Sequence, residues 1–266
     1  MDNTEIKWLV ALLLAAAAAA IAWFFWDDVS PPAPAPIQQQ APAAEAEPAE
    51  PVHPIEPQSV TPAEGELVEL PPLEESDSYF ALALLDIFGA DLEPLLADEA
   101  LIDKSVATVD NLTRSRVAEK IRPLGRLPGN FVAVAEGDNG PFYLSPDNYA
   151  RYDSLVNMVT GADADELEAT YRRFYPLMQE AFAQLGYPDI YFTDRVIAVI
   201  DHLLATPEPE QPVRLVQPHV LYEFADPALE ALSGGQKLLI RMGPDHAARI
   251  KALLENFRSR IAQAPR

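Results

Sequence analysis

The chain has 266 residues, with 19 basic against 41 acidic side chains, a formal net charge of −22, and no cysteine. The acid excess argues against a nucleic-acid partner, because neutralising phosphate needs a basic footprint. Without thiols there can be no disulfide, thiolate zinc site, iron–sulfur cluster or cysteine nucleophile.

Trp8 to Trp26, WLVALLLAAAAAAIAWFFW, is an uncharged apolar run of 19 residues. As a helix it would be about 28 Å long, close to the ~30 Å hydrocarbon core of a bilayer. Trp8 lies at one end and Trp23 and Trp26 at the other, where indole rings favour the water–lipid boundary. The pattern predicts a cytoplasmic tail over 1–7 and a transmembrane helix over 8–26, with the lipid bilayer as partner. Lys7 on the N-terminal side favours export of the rest of the chain. A cleaved signal peptide and the inverted topology are the competing readings. The run's length and its Trp-Phe-Phe-Trp end favour an uncleaved anchor.

Residues 27–75 hold 12 of the 26 prolines, 11 acidic residues and no lysine or arginine. Such a composition cannot bury enough apolar surface to offset its ordering entropy, which predicts a disordered linker. Its span would run from about 40 Å as a flexible coil to roughly 150 Å if polyproline-like.

From 76 to 266 the pattern predicts one mostly helical domain, mainly α with a minor β component (α+β). Ser76 or Asp77 can cap a helix through Phe88, which Gly89 ends. Asp98 is the expected start of a second, carrying Leu101, Ile102, Val106, Val109 and Leu112 at helical spacing. The turn IRPLGRLPGN then leads to Phe131–Ala135 and Phe142–Ser145, a β-hairpin signal. Ser145-Pro146 should start a helix to about Thr160. Asp163 to Leu185 carries the stripe Leu167, Tyr171, Phe174, Met178, Phe182 and Leu185, with a kink expected from Pro176. Thr193 should cap a helix to about Leu204. Val213–Val216 and Val220–Phe224 read as strands, Asp226-Pro227 as a helix start, and Pro244 as the opening of a last helix. Ile250, Leu253, Leu254, Phe257 and Ile261 form that helix's apolar stripe.

Leu232-Ser-Gly-Gly-Gln236 matches the signature pentapeptide of ABC-transporter ATPases. That chemistry also needs a phosphate-cradling G-x-x-x-x-G-K-[ST] loop, and none of the five lysines follows a glycine. We therefore expect no nucleotide, and read Ser233-Gly234-Gly235 as a bend between helices whose core residues are Leu238, Leu239, Ile240 and Met242. His53, His202, His219 and His246 show no metal-ligand spacing, and no G-x-S-x-G elbow is present. Neither metal, cofactor nor catalytic residue is expected. Paired acids cannot be picked out by spacing in so acidic a chain.

Tyr171 to Arg195 packs four tyrosines and three arginines among phenylalanines and prolines. A second aromatic stretch is His219 to Glu230. One reading is a binding surface built from Tyr171, Arg172, Tyr175, Tyr187, Arg195 and Tyr222, since Tyr and Arg dominate interaction hot spots. The other, which we favour, makes the tyrosines core edges and pairs Arg172, Arg195 and Arg241 with internal carboxylates. From Lys237 to Arg266 seven basic residues face two acidic ones. They suit helix C-termini and a weak attraction to the acidic linker.

DNLTR (Asp110–Arg114), YRRFYPLMQEAFAQLGYP (Tyr171–Pro188), DRVIAVIDHLLATP (Asp194–Pro207) and VLYEFADPALEALSGGQKLLIRMGP (Val220–Pro244) form a distinctive set. Together they resemble the bacterial family of domain of unknown function 3014 over nearly all of 76–266. The resemblance implies a Gram-negative, membrane-associated protein and supplies no activity or site residue. The expectation is a single-pass inner-membrane protein whose domain is a periplasmic binding or scaffolding module. Its partner would be an envelope protein, a peptide or a glycan. The alternative is an envelope hydrolase using carboxylates.

Overall fold

The computed structural model describes residues 70–137 and 140–262. The predicted anchor over 8–26, His53 and most of the linker lie outside the described residues. Among the described residues, no helix is long and apolar enough to cross a membrane.

The fold begins before the expected boundary at Ser76. Leu70 packs against the main core, and Leu73 is buried in a 3-10 turn over Leu73–Glu75. Helix α1 (Asp77–Phe88) has the predicted limits, with Gly89 at φ 85° ending it. Ser76 does not cap it through its side chain, because its hydroxyl donates to the Leu73 carbonyl at 2.7 Å. Asp77 instead accepts from the amides of Ala100 and Leu101 at 2.6 and 2.7 Å. It thereby caps α2 (Leu101–Asn111), which starts three residues later than predicted. Ala100 adopts a left-handed φ of 54°, unfavourable for a residue with a Cβ, and the two Asp77 bonds hold it there. Asp77→Ala should therefore cost about 1–2 kcal/mol, a cap loss read by chemical denaturation. A change below about 0.3 kcal/mol would show that the cap contributes nothing.

The hairpin forms as expected. Strands β1 (Ala133–Ala135) and β2 (Phe142–Leu144) pair antiparallel, with Val134 opposite Tyr143. Strands β3 (Arg214–Val216) and β4 (Glu223–Phe224) complete a four-stranded antiparallel sheet in the order β1-β2-β3-β4. The single helix expected over Ser145–Thr160 is two, α3 (Asp147–Ala150) and α4 (Asp153–Gly161). Buried Asn148 explains the break. Its side chain accepts from the Val132 amide at 2.9 Å and donates to the Val132 carbonyl at 2.6 Å, pinning α3 beside β1.

Helix α5 (Ala164–Gln184) is capped by Asp163 and runs unbroken through Pro176. It buries Tyr171, Phe174, Met178 and Phe182, but Leu185 is exposed. In α6 (Phe192–Leu204) Thr193 is not the cap. It is fully buried and hydrogen-bonds the Tyr171 hydroxyl at 3.0 Å. Helices α7 (Pro227–Glu230), α8 (Gly234–Met242) and α9 (Pro244–Ile261) follow, with Asp226 capping α7 as predicted.

Three apolar clusters result. The main one joins α1, α2, α5, α6 and the end of α9 around Phe80, Ile102, Phe174, Phe182 and Ile261. A second lies under the sheet around Leu144, Leu215, Phe224 and Ile240. A third holds Val199, Leu203, Leu239 and Met242. Helix α8 thus faces the sheet with Ile240 and α6 with Leu239 and Met242, while Leu238 points out. The fold is mainly α with a minor β component.

Candidate functional site

A groove of about 480 Å³ opens between the start of α2 and the segment Glu119–Arg126. A 3-10 helix over Ala90–Leu95 leads the chain along its floor. There Ala97 donates to the Pro123 carbonyl at 2.8 Å and Gly125 to the Leu95 carbonyl at 2.7 Å, around a Leu96–Leu124 bridge. Thr108 ties the second segment to α2 by donating to the Ile121 carbonyl at 2.6 Å.

The walls are charged. Asp98, Glu99 and Lys104 line one side, and Glu119, Lys120, Arg122 and Arg126 the other. Arg126 grips Glu119 with two bonds of 2.7 and 2.8 Å, which hold that carboxyl below its usual range. Both partners are well exposed, so the pair adds little stability. Lys104 donates to the Glu99 carbonyl at 2.7 Å and Arg122 to the Val117 carbonyl at 2.7 Å. Lys120 makes no hydrogen bond or ion pair among the described residues. The groove offers cationic donors of differing availability above a fixed backbone floor, chemistry suited to holding carboxylates.

The six residues read as a binding surface do not come together as one. Tyr171, Arg172 and Tyr175 are buried. Burial pushes both tyrosine hydroxyls above their ordinary range, and Tyr175 donates to Gln179 at 3.1 Å. Arg172 pairs with Glu168 at 2.9 Å, one turn back on α5. Arg195 donates to the Asp110 carboxylate at 2.9 Å, the Asp110 carbonyl at 2.7 Å and Thr113 at 2.9 Å. Tyr187 stacks on Phe182 with ring centroids 4.8 Å apart. Tyr222 sits beneath the sheet against Phe131 and Phe142. Their aromatic density reflects core edges. Arg241 departs from the expected carboxylate pairing and lies 5.4 Å over the Phe224 ring.

The LSGGQ stretch is built into the interior. Ser233 and Gln236 form a reciprocal capping box at the start of α8. Gly234 donates to the Arg114 carbonyl at 2.7 Å and Gly235 to the Leu112 carbonyl at 3.0 Å. The glycines are thus the first helical turn rather than a bend, and the amides that would meet phosphate in a nucleotide site are spent on the end of α2. His202 contacts Ser233 at 2.9 Å, and its carbonyl accepts from Gln236 at 3.1 Å.

The basic C-terminal residues are paired across the domain. Arg258 grips Asp201 with two bonds, Arg260 reaches Asp165 and Glu168, and Lys237 meets Glu230 at 2.7 Å. His246 meets Asp153 at 3.0 Å. Among the described residues, no group of three or more histidines and acids could hold a metal ion. Sequence reasoning missed the groove's cations, though Arg114, Arg116, Lys120, Arg122 and Arg126 crowd thirteen residues holding one acid, Glu119.

Fold and site together define a mainly α domain with a small antiparallel sheet and a charged groove at the start of α2. A family model described as "Protein of unknown function (DUF3014)" matches residues 101–258, and the chain belongs to that family. No curated protein and no solved structure matches it.

Proposed function

We propose that the protein is a single-pass, membrane-anchored binding or scaffolding module of the cell envelope. In this reading residues 8–26 cross the inner membrane, the domain is periplasmic, and the groove beside α2 takes a carboxylate-bearing partner. The observation that supports it is the groove itself, where Lys120 and Arg122 project over a floor fixed by backbone bonds. The apolar run and the proline-rich stretch behind it support anchoring at a distance from the bilayer. The hydrolase alternative asks for two close buried acids. Asp110, the buried acid among the described residues, is already engaged by Arg195 and Arg114.

The test has two arms. A C-terminal alkaline phosphatase fusion to the full chain should be active, since that enzyme matures only after export, and an inactive fusion would overturn the topology. In-cell crosslinking of the tagged full chain should capture a reproducible envelope partner. The exposed double variant Lys120→Glu/Arg122→Glu should reduce that capture about tenfold, the order expected for reversing two interfacial charges. Equal capture by both proteins would remove the groove from the binding reading.

A further inference from the structure

The two edges of the sheet differ. Leu144 donates to the Val213 carbonyl at 2.9 Å, which turns Leu144 and Phe142 towards β3 and leaves Tyr143 to bond Val134. Ser145 donates to the Val132 carbonyl at 3.3 Å and Glu136 to the Pro141 carbonyl at 3.1 Å, so the same alternation holds on either side. The amides and carbonyls of Ala133 and Ala135 therefore point away from β2, and nothing among the described residues bonds them. At the opposite edge Phe224 is the outward residue of β4, because Ala225 donates to the Arg214 carbonyl at 3.0 Å. The Phe224 amide is occupied, since Glu230 accepts from it at 2.9 Å and Lys237 holds that carboxylate at 2.7 Å. One edge is closed by a side chain and the other is open. Natural sheets guard an open edge with lysine, proline, a bulge or a covering loop. Phe131-Val-Ala-Val-Ala135 has no charge and no proline, and Phe131, Val132, Val134 and Ala135 are all exposed.

We propose that β1 pairs antiparallel with β1 of a second copy, about a two-fold axis at Val134. In that register Ala133 of each copy faces Ala135 of the other, and each pair exchanges both backbone bonds, so all the outward groups are used. Val134 meets Val134 on the outer face, which also carries Tyr143 and Arg214. They form the non-hydrogen-bonded pair, in which facing side chains come closest. Charge selects this occupant. In a chain of net charge −22 most surfaces repel their own copies, but this edge is neutral. Glu136 of each copy falls opposite Val132 of the other rather than opposite another acid. An unrelated extended peptide would find the same backbone groups, yet Ala133, Val134 and Ala135 offer no charge to select its side chains. An edge of three residues buries less than the ~1,200 Å² of a lasting interface, so the dimer is weak and reversible. The pairing uses none of the residues that line the groove and stands or falls apart from it.

Because the chain has no cysteine, a single introduced thiol in the purified protein can form a protein disulfide only with a second copy. Opposed residues of a non-hydrogen-bonded pair have Cα atoms about 4.5 Å apart, inside the ~4.4–6.8 Å that a disulfide spans. The test is mild oxidation of the full chain in detergent micelles, with each dimerisation rate divided by the rate at which iodoacetamide alkylates the same thiol. Val134→Cys should give disulfide dimer about tenfold faster than Val220→Cys, because pairing raises the local thiol concentration. Val220 is 85% exposed against 50% for Val134, so random collision favours the control. Equal normalised rates would overturn the pairing and leave the edge to a foreign strand. Val134→Cys/Ala135→Pro removes one outward amide and no bond to β2, and proline is tolerated on edge strands. It should bring the rate down to that of Val220→Cys. Retention of the fast rate would show that the thiols meet without the backbone ladder, and would overturn the pairing as well.

Discussion

Arg195→Ala should lower the stability of the domain by about 2–3 kcal/mol. The Asp110 side chain is only 6% exposed, and Arg195 supplies its carboxylate and its carbonyl with charge-assisted bonds while also reaching Thr113. Removing one partner of a buried ion pair typically costs about 3–5 kcal/mol, because the remaining charge loses its compensation without regaining water. Two features moderate that here. Arg195 keeps 28% exposure, and Arg114 still meets Asp110 at 3.2 Å from the solvent side. For a domain of this size the loss corresponds to a melting temperature lower by about 5–10 °C. Arg195→Lys should recover only part of it, since an ammonium cannot reproduce the fork that reaches the carboxylate, the carbonyl and Thr113 together. An unchanged melting temperature for Arg195→Ala would mean that the arginine is not structural and would return it to a binding role.

What could be read from the sequence here was local. Asp163 and Asp226 announced their helices because cap and capped amide lie within a few residues of each other, and Pro244 announced the last because its fixed φ suits the first helical position. The missed boundaries are those where a distant group decided the outcome. Asp77 caps a helix more than twenty residues away, Asn148 diverts a helix by bonding to Val132 just ahead of β1, and Thr193 is drawn into the core by Tyr171. Tyrosine carries the same ambiguity at the site. Its ring suits a hot spot or a core edge equally, and only the neighbours of Tyr171 and Tyr175 decided between them. The groove was hidden for another reason. Its floor pairs two loops through the Leu96–Leu124 bridge, and the sequence marks one of them only as a proline- and glycine-punctuated turn. Its cations are countable in the sequence, but a short basic segment in a chain of net charge −22 does not by itself show which backbone it will stand over.

Gly235→Ala should destabilise the domain by about 2–3 kcal/mol, the opposite sign to what its position in a helix suggests. Replacing a helical glycine by alanine is ordinarily worth about 0.5–1 kcal/mol in the favourable direction. At Gly235 a Cβ would stand 2.7 Å from Leu203 Cδ2 and 2.9 Å from the Leu112 carbonyl oxygen. Leu203 can yield by changing rotamer, but the carbonyl is backbone and is the acceptor of the Gly235 amide at 3.0 Å. The methyl group must therefore push α8 away from the end of α2. Overpacking of this kind costs about 1–3 kcal/mol, and weakening a buried hydrogen bond adds about 1 kcal/mol. Gly234 is the internal control. Its Cβ would meet nothing closer than the Arg114 carbonyl at 3.4 Å, so Gly234→Ala should stay within about 0.5 kcal/mol of neutral. Parallel urea titrations of the two variants read the difference directly. If Gly235→Ala proved as neutral as Gly234→Ala, the start of α8 would not be pressed against α2. The two glycine amides would then not be fixed on the Leu112 and Arg114 carbonyls, and a titration of the protein with ATP would test whether they meet an anion instead.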